Sequence, residues 1–152
     1  MSSFPGETME KKYELIDATA EGAYANKGKV YRIRALRDID IVNRGGAYKF
    51  RAGDLGGLIS GEHNLSQEGD CWIDSTSVVF ENARIEGDAL VLKSSKVTSN
   101  ATVKGNAPVI SSVITDSAVV EDICVSNCAI YNNAKATGNV FYSHVSLRIT
   151  LK

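Results

Sequence analysis

The two histidines are the side chains that could most directly act as acid–base catalysts. They are His63 and His144. A general base has to lie beside the hydroxyl or amine that it deprotonates, and neither histidine is flanked by a motif that would orient it. A zinc site with three histidines would need a further ligand. We therefore expect both histidines to be structural or exposed, and we assign no catalytic residue.

The three cysteines, Cys71, Cys124 and Cys128, are candidates for a metal or redox site. The Cys124-x-x-x-Cys128 pair is not followed by a second pair of ligands, which a zinc site of this type needs. The N-terminus lacks the apolar core of a signal peptide, so we expect reduced thiols in the cytoplasm of a bacterial cell. The expectation is a cytoplasmic protein that holds no metal and no cofactor.

Charge is distributed unevenly along the chain. Residues 27–51 carry eight basic and two acidic side chains, a net +6, whereas residues 54–126 carry four basic and eleven acidic ones, a net −7. Such segments either bind a partner of opposite charge or pair within the molecule, and both interpretations stay open. The candidate binding residues are the basic Arg32, Arg34 and Arg37 and the acidic Glu68, Asp70, Asp74, Glu86 and Asp88.

Two segments could contact phosphate groups. The alternation of basic and aromatic residues over 29–34 is typical of contacts to a nucleic-acid backbone, but the acidic repeat and a net charge of −1 oppose that binding. The AGDLGG segment (52–57) lacks the Lys-Ser/Thr of a phosphate loop and a following helix. Its glycines predict turns or close backbone approach, and nucleic acid is not an expected partner.

Composition predicts a single small globular domain, because the 152 residues are 43% hydrophobic and 23% charged. The longest stretches without a charged side chain are partly polar and shorter than the ~20 apolar residues of a membrane-spanning helix. We therefore expect no membrane partner. We divide the chain into an N-terminal β-rich cap (1–62), a repeat region (63–149) and a tail (150–152). Within the cap, residues 29–37 alternate with a period of two and predict a half-exposed strand.

A six-residue repeat begins at Asn64 and runs without gaps through eight units to Ser111. The fourth residue of each unit is nearly always β-branched: Gln67, Ile73, Val79, Ile85, Val91, Val97, Val103 and Val109. The second residue is nearly always small: Leu65, Cys71, Ser77, Ala83, Ala89, Ser95, Ala101 and Ala107. From Ser112 to Ile149 the period loosens into mixed units of five and six residues.

The repeat predicts an all-β solenoid. Two inward positions separated by one outward residue give a short strand and a bend per unit, so three units make one triangular coil and the whole repeat makes about five. Coils that stack at strand spacing form a prism about 24 Å long. Residues 18 apart then lie above one another, as in Gly69, Gly87 and Gly105 or Ile73, Val91 and Val109.

The N-A-x-V-x-G pattern resembles the hexapeptide-repeat family, and this resemblance implies a left-handed parallel β-helix. More narrowly, YRIRALRD (31–38), AGDLGGLI (52–59) and NLSQEGDCWI (64–73) look like the entry module of bacterial and phage or prophage hexapeptide proteins, often labelled transferases. Acyltransferases of the family typically use a histidine base near a trimer interface and a loop that projects from the coils. The uninterrupted units from 64 to 111 leave no place for that loop.

One wall of the expected prism carries apolar residues on its outer side. They are Trp72, Leu90 and Pro108, with Leu92 and Ile110 beside them. Leu147, Ile149 and Leu151 alternate near the C-terminus, as in an edge strand. A stacked apolar wall and an open edge both favour self-association, so we expect a dimer or trimer. The alternative is that the N-terminal segment covers the wall within one chain.

These observations favour a protein that acts by binding and not by catalysis. The leading hypothesis is a phage- or prophage-encoded β-solenoid that forms a homo-oligomer and contacts another protein, since a repeat scaffold presents extended faces. One alternative is a hexapeptide-class acyltransferase whose site forms between subunits. Another is a phage inhibitor that blocks a host defence or nucleic-acid-binding protein through its acidic face.

Overall fold

The structure is a computed structural model that describes residues 10–19, 28–43 and 46–137 and the backbone of two short segments at 142–143 and 146–149. It is all-β. The N-terminal strands are β1 (Tyr13–Asp17), β2 (Tyr31–Ala35), β3 (Ile39–Asn43), β4 (Gly46–Phe50) and β5 (Leu55–Ile59). The repeat strands are β6 (Trp72–Ile73), β7 (Val78–Val79), β8 (Arg84–Ile85), β9 (Leu90–Leu92), β10 (Lys96–Val97), β11 (Thr102–Lys104), β12 (Pro108–Ile110), β13 (Val113–Ile114), β14 (Val119–Glu121), β15 (Val125–Ser126), β16 (Ala129–Asn132), β17 (Lys135–Thr137), β18 (Tyr142–Ser143) and β19 (Ser146–Ile149).

The repeat region folds into a β-solenoid of about five turns, as the repeat predicts. Its strands pair in parallel across three walls. One wall follows the order β5-β7-β10-β13-β16-β19, the second β8-β11-β14-β17 and the third β6-β9-β12-β15-β18. Ile73 pairs with Val91, and Val91 pairs with Val109. The expected spacing of 18 residues between rungs is therefore confirmed over the regular units.

The interior of the solenoid is filled by the two inward positions of each unit. Val91 and Val103 are completely buried, and so are the small residues Ala89 and Ala101. Small residues fit the corners of a narrow coil, while β-branched residues pack on its flat walls. The inward pattern deduced from residue types is confirmed.

Each coil bends at corners where the backbone enters the left-handed region. One corner is a column of Gly69, Gly87 and Gly105, with φ of 72°, 68° and 71°. A Cβ atom at Gly69 or Gly87 would collide with the next glycine of the column, which explains why glycine recurs every 18 residues. Beyond Ser112 the rungs shorten, because Lys96 pairs with Val113 and Val113 with Ala129. The looser units thus form coils with one or two residues fewer.

The N-terminal strands extend one wall of the solenoid. Strands β1, β2 and β5 are antiparallel to one another, and β5 then pairs in parallel with β7. The alternation predicted for β2 is confirmed, because Ile33 and Ala35 are buried and Arg34 is exposed. A Cβ atom on Gly57 would collide with the Ser77 carbonyl oxygen. Close backbone approach is therefore the role of this glycine.

Lys12 and Tyr13 close the N-terminal end of the solenoid and are both buried. The Lys12 ammonium donates to the Cys71 carbonyl oxygen at 2.7 Å and lies 3.2 Å from the Cys71 sulfur. The Tyr13 hydroxyl donates to the Leu65 carbonyl oxygen. Burial lowers the pKa of Lys12 and raises the pKa of both Tyr13 and Cys71. These polar side chains satisfy carbonyl groups of the first coil, which has no coil before it in the described part of the chain.

No helix in the described residues is long and apolar enough to cross a bilayer.

We predict that Val91→Asp prevents folding. An unpaired charge inside the solenoid costs several kcal/mol, against a total stability of roughly 5–15 kcal/mol. Thr102→Asp is the control, because Thr102 is half-buried on the outer side beside Arg84, and we expect it to change the free energy of unfolding by less than about 0.5 kcal/mol. Thermal unfolding followed by circular dichroism measures both. A soluble Val91→Asp protein with an unchanged melting curve would show that the inward register is wrong.

We also predict a pH dependence from Lys12. Because folding lowers the pKa of Lys12, the unfolded chain binds more protons between the folded-state pKa and 10.5, the ordinary value. The free energy of unfolding therefore rises with pH in that window, by about 1.4 kcal/mol for each unit by which the pKa is lowered. Denaturant titrations of the wild type and Lys12→Met between pH 7 and 10 measure the difference. A difference that is constant with pH, or that falls, contradicts the prediction.

Candidate functional site

A cleft of about 590 Å³ opens on the outer surface of the first two coils. It exists because the first coil is irregular on this side. Residue Leu65 joins β8 only through a single bridge to Ile85, so residues 66–69 bend away where later coils continue as strands. The lining consists of Glu62, His63, Ser66, Glu68, Gly69, Arg84, Ile85, Glu86 and Gly87.

Two of the lining residues stand on a 3₁₀ turn, Glu62–Asn64, which a buried asparagine holds in place. The Asn64 side-chain oxygen accepts from the Ser60 amide at 2.8 Å, and its nitrogen donates to the Ala83 carbonyl at 2.8 Å and the Glu81 carbonyl at 3.1 Å. These bonds fix the turn to the second coil. Glu62 and His63 are therefore presented at the rim of the cleft from a rigid support.

The His63 ring is oriented by the backbone of the next coil. Its Nε2 atom lies 2.7 Å from the Glu81 carbonyl oxygen. A carbonyl oxygen only accepts, so Nε2 carries a hydrogen, and in the neutral ring Nδ1 is then the basic nitrogen. The sequence alone does not predict this arrangement, because Glu81 lies 18 residues away and belongs to a different coil.

The charge of the cleft is predominantly negative. Three carboxylates, Glu62, Glu68 and Glu86, line it together with one guanidinium, Arg84. Arg84 lies 2.9 Å from Glu86, and Lys11 reaches Glu62 from outside at 3.2 Å. With a neutral imidazole, the lining residues carry a net charge of −2. Such a cleft attracts a cationic group.

The structure brings together only two of the candidate binding residues, Glu68 and Glu86, in this cleft. The acidic Asp74 accepts from the amides of Thr76 and Lys93. Asp88 accepts from the Asp70 amide at 3.1 Å. These two carboxylates stabilise corners of the coils, where turn-forming Asp is typical.

The basic candidates are paired within the chain. Arg32 donates to the carbonyl oxygens of Gly56 and Ser75. Arg34 forms an ion pair with Glu14, and Arg37 forms one with Asp70 at 3.0 Å. Their guanidinium groups attach the N-terminal strands to one another and to the first coil. Of the two interpretations that the charge distribution left open, local pairing describes these residues.

The expectation of an exposed apolar wall is wrong. Trp72, Leu90, Leu92 and Pro108 are buried within one chain, and Ile110 is half-buried. The hairpin formed by β3 and β4 packs over them, with the Phe50 ring 6.1 Å from the Trp72 ring. This is the alternative in which the N-terminal segment covers the wall.

The C-terminal candidates remain an edge. Leu147 and Ile149 belong to β19, which stands last in its sheet. Leu151 and His144 lie outside the described residues.

Sequence reasoning also missed Glu62, Ser66 and Arg84 as members of one site. Arg84 and Glu86 are recognisable as outward positions of a unit, since they flank the inward Ile85. The irregular path of residues 66–69 has no comparable signal, because NLSQEG keeps the six-residue length of the other units.

The comparisons with known proteins do not assign this chain. A scan against protein-family models finds no match, and a search of the curated proteins finds none either.

We predict that Asn64 matters more to stability than His63 does. Asn64→Ala removes hydrogen bonds to several buried backbone groups, at about 1–3 kcal/mol for each group left unsatisfied. His63→Ala removes one bond at the surface and costs about 1 kcal/mol. Urea unfolding of both variants measures the difference. Equal destabilisation by the two changes would contradict the assignment of Asn64 as the residue that holds the turn.

Proposed function

We propose that this chain is a binding protein, a hexapeptide-type solenoid of left-handed β-helix form that holds a basic segment of another protein in the cleft. The observation that carries the proposal is the cleft itself, with Glu62, Glu68 and Glu86 around one space. Support also comes from the pairing of Arg32, Arg34 and Arg37 with groups of their own chain, which leaves acidic recognition as the stronger candidate.

The physical contribution of the cleft is electrostatic steering together with shape. Complementary charge raises the rate of encounter and selects against partners of the same sign. The rigid turn that carries Glu62 and His63 keeps their positions fixed before binding, which reduces the entropy lost on association. A lysine- or arginine-bearing strand or loop has the matching chemistry. A nucleic-acid-binding protein of the host presents such a surface, so inhibition of one is a form of this proposal.

The biological setting that goes with this proposal is a phage or prophage gene expressed in the cytoplasm of a bacterial cell. The resemblance of residues 31–38, 52–59 and 64–73 to hexapeptide entry modules supports it. We also propose that the chain forms a homo-oligomer. With the wall of Trp72 and Leu90 covered, the support for self-association comes from the edge position of β19 and from the hairpin considered below.

A hexapeptide-class acyltransferase is the second candidate, and one observation favours it. His63 lines the cleft, and the Glu81 carbonyl orients its ring so that Nδ1 is the basic nitrogen. General-base catalysis needs a positioned imidazole of this kind. Transfer of an acetyl group from acetyl-CoA would then depend on His63.

The test uses calorimetry with octalysine as the probe and octaglutamate as its control. We expect octalysine to bind, with an affinity that falls as salt is added, because the attraction is between charges at a surface. Glu68→Gln/Glu86→Gln should weaken binding about tenfold at low salt, given up to about 1 kcal/mol for each surface pair. Glu121→Gln is the matched control, since Glu121 lies outside the cleft on the same wall, and we expect no change.

His63→Ala separates the two candidates. In a binding protein this variant keeps its affinity for octalysine, because the imidazole moves no proton. Acetyl-CoA binding by the wild type, with acetyl transfer that His63→Ala abolishes, supports the enzyme instead. Equal binding of octalysine and octaglutamate, or equal losses in the double variant and Glu121→Gln, would overturn the proposed binding cleft.

A further inference from the structure

The hairpin of β3 and β4 is attached to the rest of the structure differently from the other strands. It forms a two-stranded sheet of its own, in which Ile39 pairs with Phe50 and Ile41 with Tyr48. In the described residues, neither strand pairs with a strand of the solenoid. Side-chain packing therefore holds the hairpin against the wall. A two-stranded hairpin has little stability by itself, so it needs that wall or an equivalent one.

The packed face of the hairpin is apolar and matches the wall beneath it. Ile39 and Ile41 are buried in the same cluster as Trp72 and Leu90, and Phe50 contacts the Trp72 ring. The contact is imperfect, because the Trp72 indole nitrogen is buried without a hydrogen-bond acceptor. A buried donor without a partner opposes closure of the hairpin.

The hairpin joins the remaining chain through two short connections, residues 36–38 and 51–54. The second is a tight turn in which the Asp54 amide donates to the Arg51 carbonyl at 2.9 Å and Gly53 has a φ of 95°. Large exposed apolar side chains flank both connections, since Leu36 is 45% exposed and Leu55 is 51% exposed. Isolated exposed leucines are ordinary, but these two lie directly beside a possible hinge.

We propose that two copies of this chain exchange their β3–β4 hairpins, each hairpin packing on the Trp72 and Leu90 wall of the other copy. The wall is already complementary to this hairpin, so a second copy supplies the same contacts without new chemistry. The exchange opens both hinges and brings the two chains together beside Leu36 and Leu55, which gives these side chains a partner. The inference rests on the proposed self-association and specifies how it occurs.

Gly53→Ala tests the hinge. Alanine is strained at a φ of 95°, and opening the turn relieves that strain, so we expect the association constant of the dimer to rise about tenfold. Gly28→Ala is the matched control, because Gly28 also has a positive φ, of 80°, and open space around it, but lies outside the hinge. Light scattering over a range of concentrations measures both. An equal association constant for the two variants overturns the exchange.

A mixing experiment tests the exchange directly, with Trp72 as the single tryptophan of the chain. The first variant, Ile41→Asp, keeps the wall but cannot dock its hairpin. The second, Leu90→Asp/Trp72→Phe, keeps the hairpin but cannot receive one, and it is silent in tryptophan fluorescence. We expect the emission of the first variant to shift to shorter wavelength when the second is added, with formation of a one-to-one dimer. The control is the second variant with Ile41→Asp added, which should give no shift.

The possible failures are distinguishable. A wild type and a Gly53→Ala variant that are both monomeric overturn self-association and the exchange together. A dimer that shows no fluorescence shift on mixing overturns the exchange alone and leaves self-association through another surface. If either aspartate variant lacks a cooperative melting curve, Ile41→Ala and Leu90→Ala/Trp72→Phe replace them, and the same two results decide.

Discussion

The stacking of like residues along the solenoid axis is the constraint on which the rest of the structure depends. Each strand of the repeat is only two to four residues long, far too short to be stable alone, so each depends on the rungs above and below it. The side-chain period of two means that a slip of one residue would exchange the inner and outer sides of a wall. The alternation of small and β-branched inward residues, as at Ala89 and Val91, prevents that slip. Corners, walls and cleft all follow from this register.

The features that distinguish this chain arise where the stacking is interrupted. The first coil has Lys12 and Tyr13 against its open end, where later coils have another rung. Its residues 66–69 leave the wall, and the cleft forms beside them. The hairpin packs by side chains alone on an outer wall. Regular coils thus provide rigidity, and the N-terminal irregularities provide the surfaces that we propose for binding a partner and a second copy.

The sequence predicts the solenoid well because its signal is local and repeated. Eight units in a constant register give the inward residues, and the loosening after Ser112 corresponds to rungs of 17 and 16 residues. The exposure of Trp72 and Leu90 could not be predicted in the same way, because it depends on residues 39–50, which the chain brings back from another element. For the same reason the charged segments looked like binding patches, although Arg37 pairs with Asp70 across 33 residues. The cleft depends on the path of one irregular coil, which composition does not encode.

Hydrogen–deuterium exchange of the whole chain with and without octalysine tests most directly the claim that binding occurs at the irregular first coil. Amide exchange slows where a ligand reduces local opening. We expect new protection at residues 62–69 and 84–87, which line the cleft, and unchanged exchange at β11 and β14 on the same wall. Protection centred on β11 and β14, or none at residues 62–69 and 84–87 at a saturating concentration of the peptide, would contradict the assignment of the cleft as the binding site.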